Sequence, residues 1–330
     1  MPIDPWLAER FELIRDIPSF DAALADPRYG EPLMRYLEDP EPWTPPAGIV
    51  TEDQSVDGLA GSIPIRVFRP VTPGAEPAPG LLWMHGGGFV MGTIDDTESM
   101  IPGYELAARA GAVVVSVGYR LALDGIRYPA PLDDVMAAWR FVVGNTGQFG
   151  IDPAALFIGG ASVGANLATG AAVRLREAGE PVPRGMLLAY PLEHFPTPPA
   201  DPGVLAELEQ VPPMLRFPEQ YQLGIVHNYL GRVTDLPAEV VPGNFPVDGL
   251  PEAWIAPSEY DDLRPSGELF ATQLVDAGIP AHLEVARGMV HGHLGRGPSL
   301  AGVAATLDFF AGALRDASAN GGRSSGSSGH

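Results

Sequence analysis

The chain has 330 residues, is 45% hydrophobic and carries a formal net charge of −21 at pH 7. This length and apolar content suit one α/β core with an insertion, and the negative charge disfavours nucleic acid as a partner. The absence of cysteine excludes disulfides, thiolate metal sites and a cysteine nucleophile, while the absence of lysine excludes Walker-type phosphate binding and Schiff-base chemistry.

The start of the chain predicts a helical segment that needs a packing partner. Helices are expected at Pro5–Ile14, 20–24 and 33–37, separated by prolines and rich in aromatic residues. We interpret residues 1–47 as an N-terminal cap segment. Residues 1–14 lack the pattern of a signal peptide, and no apolar run approaches the ~20 residues of a membrane span. A cytoplasmic location is therefore expected.

Strand signals begin at residue 48, at 49–50, 55–56 and 63–68, and the apolar run 81–84 follows. Directly after that run stand His85, Gly86, Gly87 and Gly88. Three glycines at a strand end leave bare N–H groups that can face a developing oxyanion. A phosphate-binding loop is the alternative, but the chain has neither lysine nor the Walker spacing. His85 is interpreted as a brace for the loop.

From the glycine loop to residue 193 the chain alternates between apolar strands and amphipathic helices. The predicted elements are a helix at 98–109, a strand at Val113–Val117, a helix at 133–144, a strand at 156–158, a helix at Val163–Ala178 and a strand at 186–189. This alternation indicates a parallel sheet covered on both faces, whose active site lies at the carboxyl ends of the strands. Residues 48–193 are taken as the first part of the core.

Gly160 and Gly164 flank Ser162 in the pattern Gly-X-Ser-X-Gly, between a predicted strand and a predicted helix. A strand can become a helix in so few residues only by a sharp turn, which needs small neighbouring side chains. The pattern therefore predicts a nucleophile elbow with the Ser162 hydroxyl at its tip. Such a pattern also arises by chance in glycine-rich chains, and its position between strand and helix favours the elbow.

Residues 194–246 interrupt the alternation with a proline-rich stretch that contains one helical piece at 217–230. We interpret it as a cap insertion rather than a disordered linker, because its apolar residues need burial. The core resumes at 247–318, with a strand at 253–255, a helix at 267–277, a strand at 282–285 and a helix at 299–314. The glycine- and serine-rich residues 319–330 are expected to form a flexible tail.

The glycine loop upstream of the Gly-X-Ser-X-Gly elbow resembles the hormone-sensitive-lipase-like branch of the α/β-hydrolases, over residues 66–310. The resemblance implies an α/β-hydrolase fold, with a mostly parallel central sheet of about eight strands, helices on both faces and a helical cap. The elbow departs from the family's usual Gly-Asp-Ser-Ala-Gly-Gly at Ala161, Val163 and Ala165. These changes are expected to alter the shape of the pocket and to leave activity intact.

A triad in this family places an acid and a histidine after the serine. Asp261 is assigned as the acid, since the segment 259–264 resembles the family's acid motif, and Glu259 and Asp262 are the alternatives. Asp262 stands where a proline is usual. His291, in a glycine-framed loop after a late strand, is assigned as the base. A metal site that uses His291 and His293 is the alternative, but it has no third ligand.

These assignments imply a serine carboxylesterase that acts on small to medium uncharged esters through an acyl-enzyme. Gly86, Gly87 and Val163 are expected to donate their N–H groups to the oxyanion. The expected partner is a small-molecule ester, without metal, organic cofactor or membrane span, and a homodimer is left open. An amidase or lactonase with the same triad and a non-catalytic ligand-binding relative are the alternatives.

Overall fold

An eight-stranded sheet lies at the centre of the described part of the chain, in a computed structural model that describes residues 2–72, 74 and 76–324. The spatial order of its strands is β1, β2, β4, β3, β5, β6, β7, β9. The strands are β1 (Ile49–Gly58), β2 (Gly61–Pro70), β3 (Ala78–Met84), β4 (Val113–Val117), β5 (Ile151–Ala161), β6 (Gly185–Ala189), β7 (Glu252–Ala256), β8 (Ser258–Tyr260), β9 (Ala281–Leu283) and β10 (Ala286–Val290).

The sheet is antiparallel at one edge and parallel elsewhere. β1 and β2 form a hairpin, β2 pairs with β4 in antiparallel orientation, and every following neighbour is parallel. Leu82 and Ile158, on the central strands β3 and β5, are fully buried. Strands covered on both faces need continuous apolar sequence, which is why these runs were recognisable. The prediction of a mostly parallel sheet of about eight strands is confirmed.

Helices cover both faces of the sheet. They are α1 (Pro5–Ile14), α2 (Phe20–Ala25), α3 (Gly30–Tyr36), α4 (Thr97–Ala110), α5 (Ala130–Gly144), α6 (Thr146–Phe149), α7 (Val163–Ala178), α8 (Pro202–Leu208), α9 (Glu219–Leu230), α10 (Arg264–Asp276) and α11 (Ala301–Ser324). None of the helices in the described ranges is long and apolar enough to span a membrane. The expected flexible tail, residues 319–330, begins within α11, and residues 325–330 lie outside the described residues, so the flexibility of the tail stays a prediction. The division of the chain at residues 47, 193, 246 and 318 also stays a prediction.

The predicted strand at 282–285 is wrong in its bounds, because the chain forms two short strands between residues 281 and 290. β9 ends at Leu283, and β10 then leaves the main sheet to pair with β8 in a small parallel sheet. The bend follows from the amide of Ala286, which donates to the carbonyl of Pro257 just before β8. This small sheet brings the ends of β8 and β10 together, so the residues that follow each of them, Asp261 and His291, become neighbours.

Candidate active site

Ser162 lies in a sharp turn between β5 and α7, with φ 55° and ψ −120°. A non-glycine residue at positive φ is strained, and such strain is held only where close packing enforces it. The packing here is close: a Cβ on Gly164 would overlap the carbonyl oxygens of Met84 and His85, and one on Gly160 would overlap the backbone of Gly164. Both elbow glycines are therefore required sterically.

The structure brings Ser162, His291 and Asp261 into one hydrogen-bonded chain. His291 Nε2 lies 3.0 Å from Ser162 Oγ, and His291 Nδ1 lies 2.6 Å from Asp261 Oδ2. The Nδ1–H can donate only to the carboxylate, which leaves Nε2 free to accept the serine proton. The hydroxyl is thus oriented towards a base.

The two alternative acids face away from the base. Glu259 accepts hydrogen bonds from the amide of Gly288 and from Arg287, while Asp262 pairs with Arg216 of the insertion. Asp261 is 1% exposed, and its second oxygen accepts the amide of Leu263 at 2.9 Å. Of the three carboxyl groups, only that of Asp261 forms a hydrogen bond with the imidazole of His291.

The structure does not support Gly86 as an oxyanion donor. Its N–H donates to Glu98 Oε2 at 3.0 Å and is therefore occupied. No described residue accepts a hydrogen bond from the amides of Gly87 or Gly88, and Val163 begins α7, where a helix leaves N–H groups unpaired. The amides available beside Ser162 are consequently those of Gly87, Gly88 and Val163.

Sequence reasoning missed Glu98, whose carboxyl group joins the glycine loop to the histidine loop. Besides accepting from Gly86, it accepts from the hydroxyl of Tyr190 at 2.8 Å, and the ring of Tyr190 packs edge-on against His291, with centroids 4.9 Å apart. In the sequence Glu98 looks like an ordinary acid in the first turn of a helix, because that position favours carboxylates. Its hydrogen-bond partner Tyr190 is 92 residues away in sequence, so only the fold shows that the two side chains meet.

The pKa of His291 is raised above its usual value although the ring is almost completely enclosed. Burial by itself lowers this pKa, and the charge of Asp261, its hydrogen bond and the charge of Glu98 together outweigh that effect. Burial in turn raises the pKa of Glu98, against the hydrogen bond from Tyr190 and the nearby charge of His291. The site therefore stabilises the imidazolium that forms when the base takes a proton.

Glu98→Gln is expected to move the acidic limb of the kcat/KM profile to lower pH. Only neutral His291 can accept the serine proton, so activity falls as pH drops through the pKa of His291, which is raised. Removing a negative charge that helps to raise this pKa lowers it, and the neutral base then persists at lower pH. The measurement is a pH profile of p-nitrophenyl acetate hydrolysis by wild type and variant. A limb that stays in place or moves upward would contradict this electrostatic role.

The other two histidines near the site are held by structural contacts. His85 Nδ1 lies 2.8 Å from the carbonyl of Gly86, and its ring stacks on Tyr119, so it does brace the glycine loop. His293 is fixed between Ser258 and a threonine of α11, and burial together with the charge of His291 lowers its pKa to about 3. Within the described ranges, no group of three or more His, Asp or Glu side chains could hold a metal ion.

A cavity of about 990 Å³ opens onto Ser162 and His291. Both segments expected to form the cap contribute apolar side chains to its wall: Phe20, Leu24 and Leu33 from the N-terminal helices, and Leu215, Phe217 and Ile225 from the insertion. Apolar walls with a few convergent polar groups are typical of small-molecule sites. The cavity is large enough for an ester with a medium-sized chain.

Comparison with known proteins finds a family model, curated relatives and solved structures that are similar to this chain. A family model described as alpha/beta hydrolase fold matches residues 81–295. The esterase LipI of Mycobacterium tuberculosis is 36% identical over 248 residues, which cover 74% of either chain. Ethyl acetate hydrolase of Pseudomonas putida is 32% identical over 236 residues, covering 70% of this chain and 71% of the relative. A solved structure of the hyperthermophilic esterase of the archaeon Pyrobaculum calidifontis is 27% identical with a TM-score of 0.78, covering 96% of this chain and 99% of that one.

Proposed function

The chain belongs to the α/β-hydrolase family, in the hormone-sensitive-lipase-like branch, and on this premise we propose that it is a serine carboxylesterase for small to medium uncharged carboxylic esters. The proposal depends on one observation, the hydrogen-bonded chain from Ser162 through His291 to Asp261 beside unpaired glycine amides. The names of the relatives, which include a carboxylesterase and an ethyl acetate hydrolase, support the same substrate class.

The first half of the reaction forms an acyl-enzyme. His291 Nε2 accepts the proton of Ser162 Oγ as the oxygen attacks the ester carbonyl, and Asp261 stabilises the imidazolium through Nδ1–H. The carbonyl oxygen becomes an oxyanion that receives the N–H groups of Gly87, Gly88 and Val163, each donor worth ~10²–10³ in kcat. His291 then protonates the departing alcohol, and the acyl group remains on Ser162.

The second half releases the acid. Water enters where the alcohol left, gives a proton to His291 and attacks the acyl carbonyl, and the same amides receive the second oxyanion. Collapse of this intermediate breaks the bond to Ser162 Oγ, which takes its proton back from His291. The carboxylic acid leaves and the resting enzyme is restored. His291 accepts and then donates each proton that is transferred in the cycle.

A fluorophosphonate adduct identified by peptide mass spectrometry tests this proposal directly. The reagent phosphonylates a serine that is activated by a base, so we expect a single adduct on the peptide that carries Ser162. Aryl esters and the matching anilides, compared side by side, separate an esterase from an amidase. A lack of labelling at Ser162 by an otherwise folded protein would refute the serine mechanism.

A homodimer and a cytoplasmic location remain proposals.

Asp261→Asn is expected to reduce kcat for p-nitrophenyl acetate by ~10⁴-fold. An amide in place of the carboxylate can donate to Nδ1, which favours the tautomer whose Nε2 carries the proton and cannot act as a base. Kinetics at a pH above the pKa of His291 measure the loss. Asp262→Asn, which makes the same change one residue further along, is the matched control and is expected to lose at most ~10-fold. Equal losses in the two variants would contradict the assignment of the acid.

A further inference from the structure

Asp262 directly follows the proposed catalytic acid, yet it belongs to a different set of contacts. Its two carboxylate oxygens accept hydrogen bonds from Arg216 Nε and Nη2, both at 2.8 Å, and the amide of Phe217 donates to it at 2.7 Å. The carboxyl side chain is 12% exposed. A two-point, charge-assisted pair with so little solvent contact has a defined geometry and is weakly screened.

The same pair fixes a short segment of the insertion between α8 and α9. Arg216 Nη1 also donates to the carbonyl of Leu208 at the end of α8, at 2.7 Å. On the other side, the side-chain amide of Gln222 in α9 donates to the carbonyl of Phe217, also at 2.7 Å. The segment is thereby connected to both insertion helices and to the loop that carries the catalytic acid.

These contacts hold Phe217 beside the catalytic histidine. Its ring centroid lies 4.3 Å from that of His291, and the ring lines the cavity. It also packs edge-on against Tyr221, at 5.5 Å. A half-buried aromatic ring at this place covers the imidazole and offers an apolar surface to whatever chain extends from the ester carbonyl.

We propose that Arg216 and Asp262 form a latch that positions Phe217 as a wall of the substrate cavity, and that this latch sets the preference of the enzyme for longer ester chains. The inference rests on the esterase function proposed above and assigns positioning roles to both latch residues. Loss of either latch residue breaks the two-point pair that joins the segment to the loop of the catalytic acid, and the ring of Phe217 is then free to leave the wall. An acetyl group is too short to depend on that wall, whereas a hexanoyl chain contacts it.

The first test compares p-nitrophenyl acetate with p-nitrophenyl hexanoate. In Arg216→Met and in Asp262→Asn, the ratio of kcat/KM for hexanoate over acetate is expected to fall ~10-fold, through a higher KM for hexanoate, because each CH₂ group that loses apolar contact weakens binding. Arg216→Lys, which keeps the charge but not the two-point geometry, is expected to fall between wild type and Arg216→Met. The double variant is expected to be no worse than either single variant.

Arg174→Met is the matched control for a merely structural effect. Arg174 is 22% exposed against 25% for Arg216, and it forms a comparable two-point pair with Glu239 at 2.8 and 2.6 Å. Neither Arg174 nor Glu239 lines the cavity. Its loss is expected to lower Tm without changing the hexanoate-to-acetate ratio.

Hydrogen exchange read by mass spectrometry provides a second, activity-independent measurement. Peptides that contain Phe217 are expected to exchange faster in Asp262→Asn than in wild type, because the amide then faces at best a neutral, weaker acceptor and Arg216 no longer finds two carboxylate oxygens. The latch is overturned if folded Arg216→Met and Asp262→Asn keep the hexanoate-to-acetate ratio within twofold of wild type, or if Arg174→Met lowers that ratio equally. If instead wild type carries no fluorophosphonate label and hydrolyses neither ester, the proposed function fails, while the exchange result still decides whether Asp262 holds the segment.

Discussion

Ser162→Ala is expected to lower kcat for p-nitrophenyl acetate by ~10⁶-fold and to leave the fold intact. The hydroxyl is the nucleophile, and no other described group within reach of His291 Nε2 can replace it. Among the described residues Ser162 Oγ hydrogen-bonds only with that histidine, at the wall of the cavity, so its removal frees His291 Nε2 but breaks no hydrogen bond of the sheet or its helices. Stopped-flow or long-incubation assays, together with circular dichroism and Tm, measure both parts of the expectation.

Ser299→Ala is the control for the chemistry of the substitution. Ser299 is exposed and its hydroxyl makes only a long contact, 3.4 Å, with the carbonyl of Glu41. We expect wild-type turnover and full fluorophosphonate labelling from this variant, and neither from Ser162→Ala. Near-native turnover by a pure Ser162→Ala sample would remove Ser162 from the mechanism, whatever the fold around it.

Much of the sheet and its helices could be predicted because their signals are local. The strand Val113–Val117 is a run of buried, mostly β-branched residues. The helix Val163–Ala178 begins at the elbow and ends just before Gly179, which adopts the left-handed conformation. Each of these signals predicts the structure of the residues that carry it: an apolar run a strand, small residues a turn, and a glycine the end of a helix. The bounds of both elements were predicted correctly for this reason.

The small sheet of β8 and β10 could not be predicted, because its strands are three and five residues long and its pairing depends on residues that are distant in sequence. No periodicity develops in so few residues. The consequence is specific: the sequence could suggest Asp261 and His291 by residue type, but only the pairing of Tyr260 with Val290 explains why their side chains meet.

The sequence also could not predict which individual N–H groups of the glycine loop are free to bind the oxyanion. Three consecutive glycines predicted that some N–H groups face the oxyanion, but which ones depends on backbone dihedral angles. Gly87 and Gly88 adopt φ values of 101° and 61°, and Gly86 is turned towards Glu98. No local pattern connects residue 86 with a carboxylate twelve positions later. Of the three donors expected from the sequence, Gly86 is therefore excluded by its bond to Glu98, and Gly87 and Val163 stay predictions.

His291→Ala is expected to reduce kcat for p-nitrophenyl acetate about as much as Ser162→Ala, by ~10⁶-fold, because nucleophile and base act as a unit. For the same reason the variant that lacks both side chains is expected to be no slower than either single variant. His85→Ala is the informative control: His85 contacts the glycine loop and Tyr119 but not Ser162, so its loss disturbs the oxyanion amides and leaves the base in place. A disturbed loop weakens donors that each contribute ~10²–10³, whereas a missing base removes the activation of the nucleophile altogether. His85→Ala is therefore expected to retain more activity than His291→Ala, and the opposite order would contradict the assignment of His291 as the base.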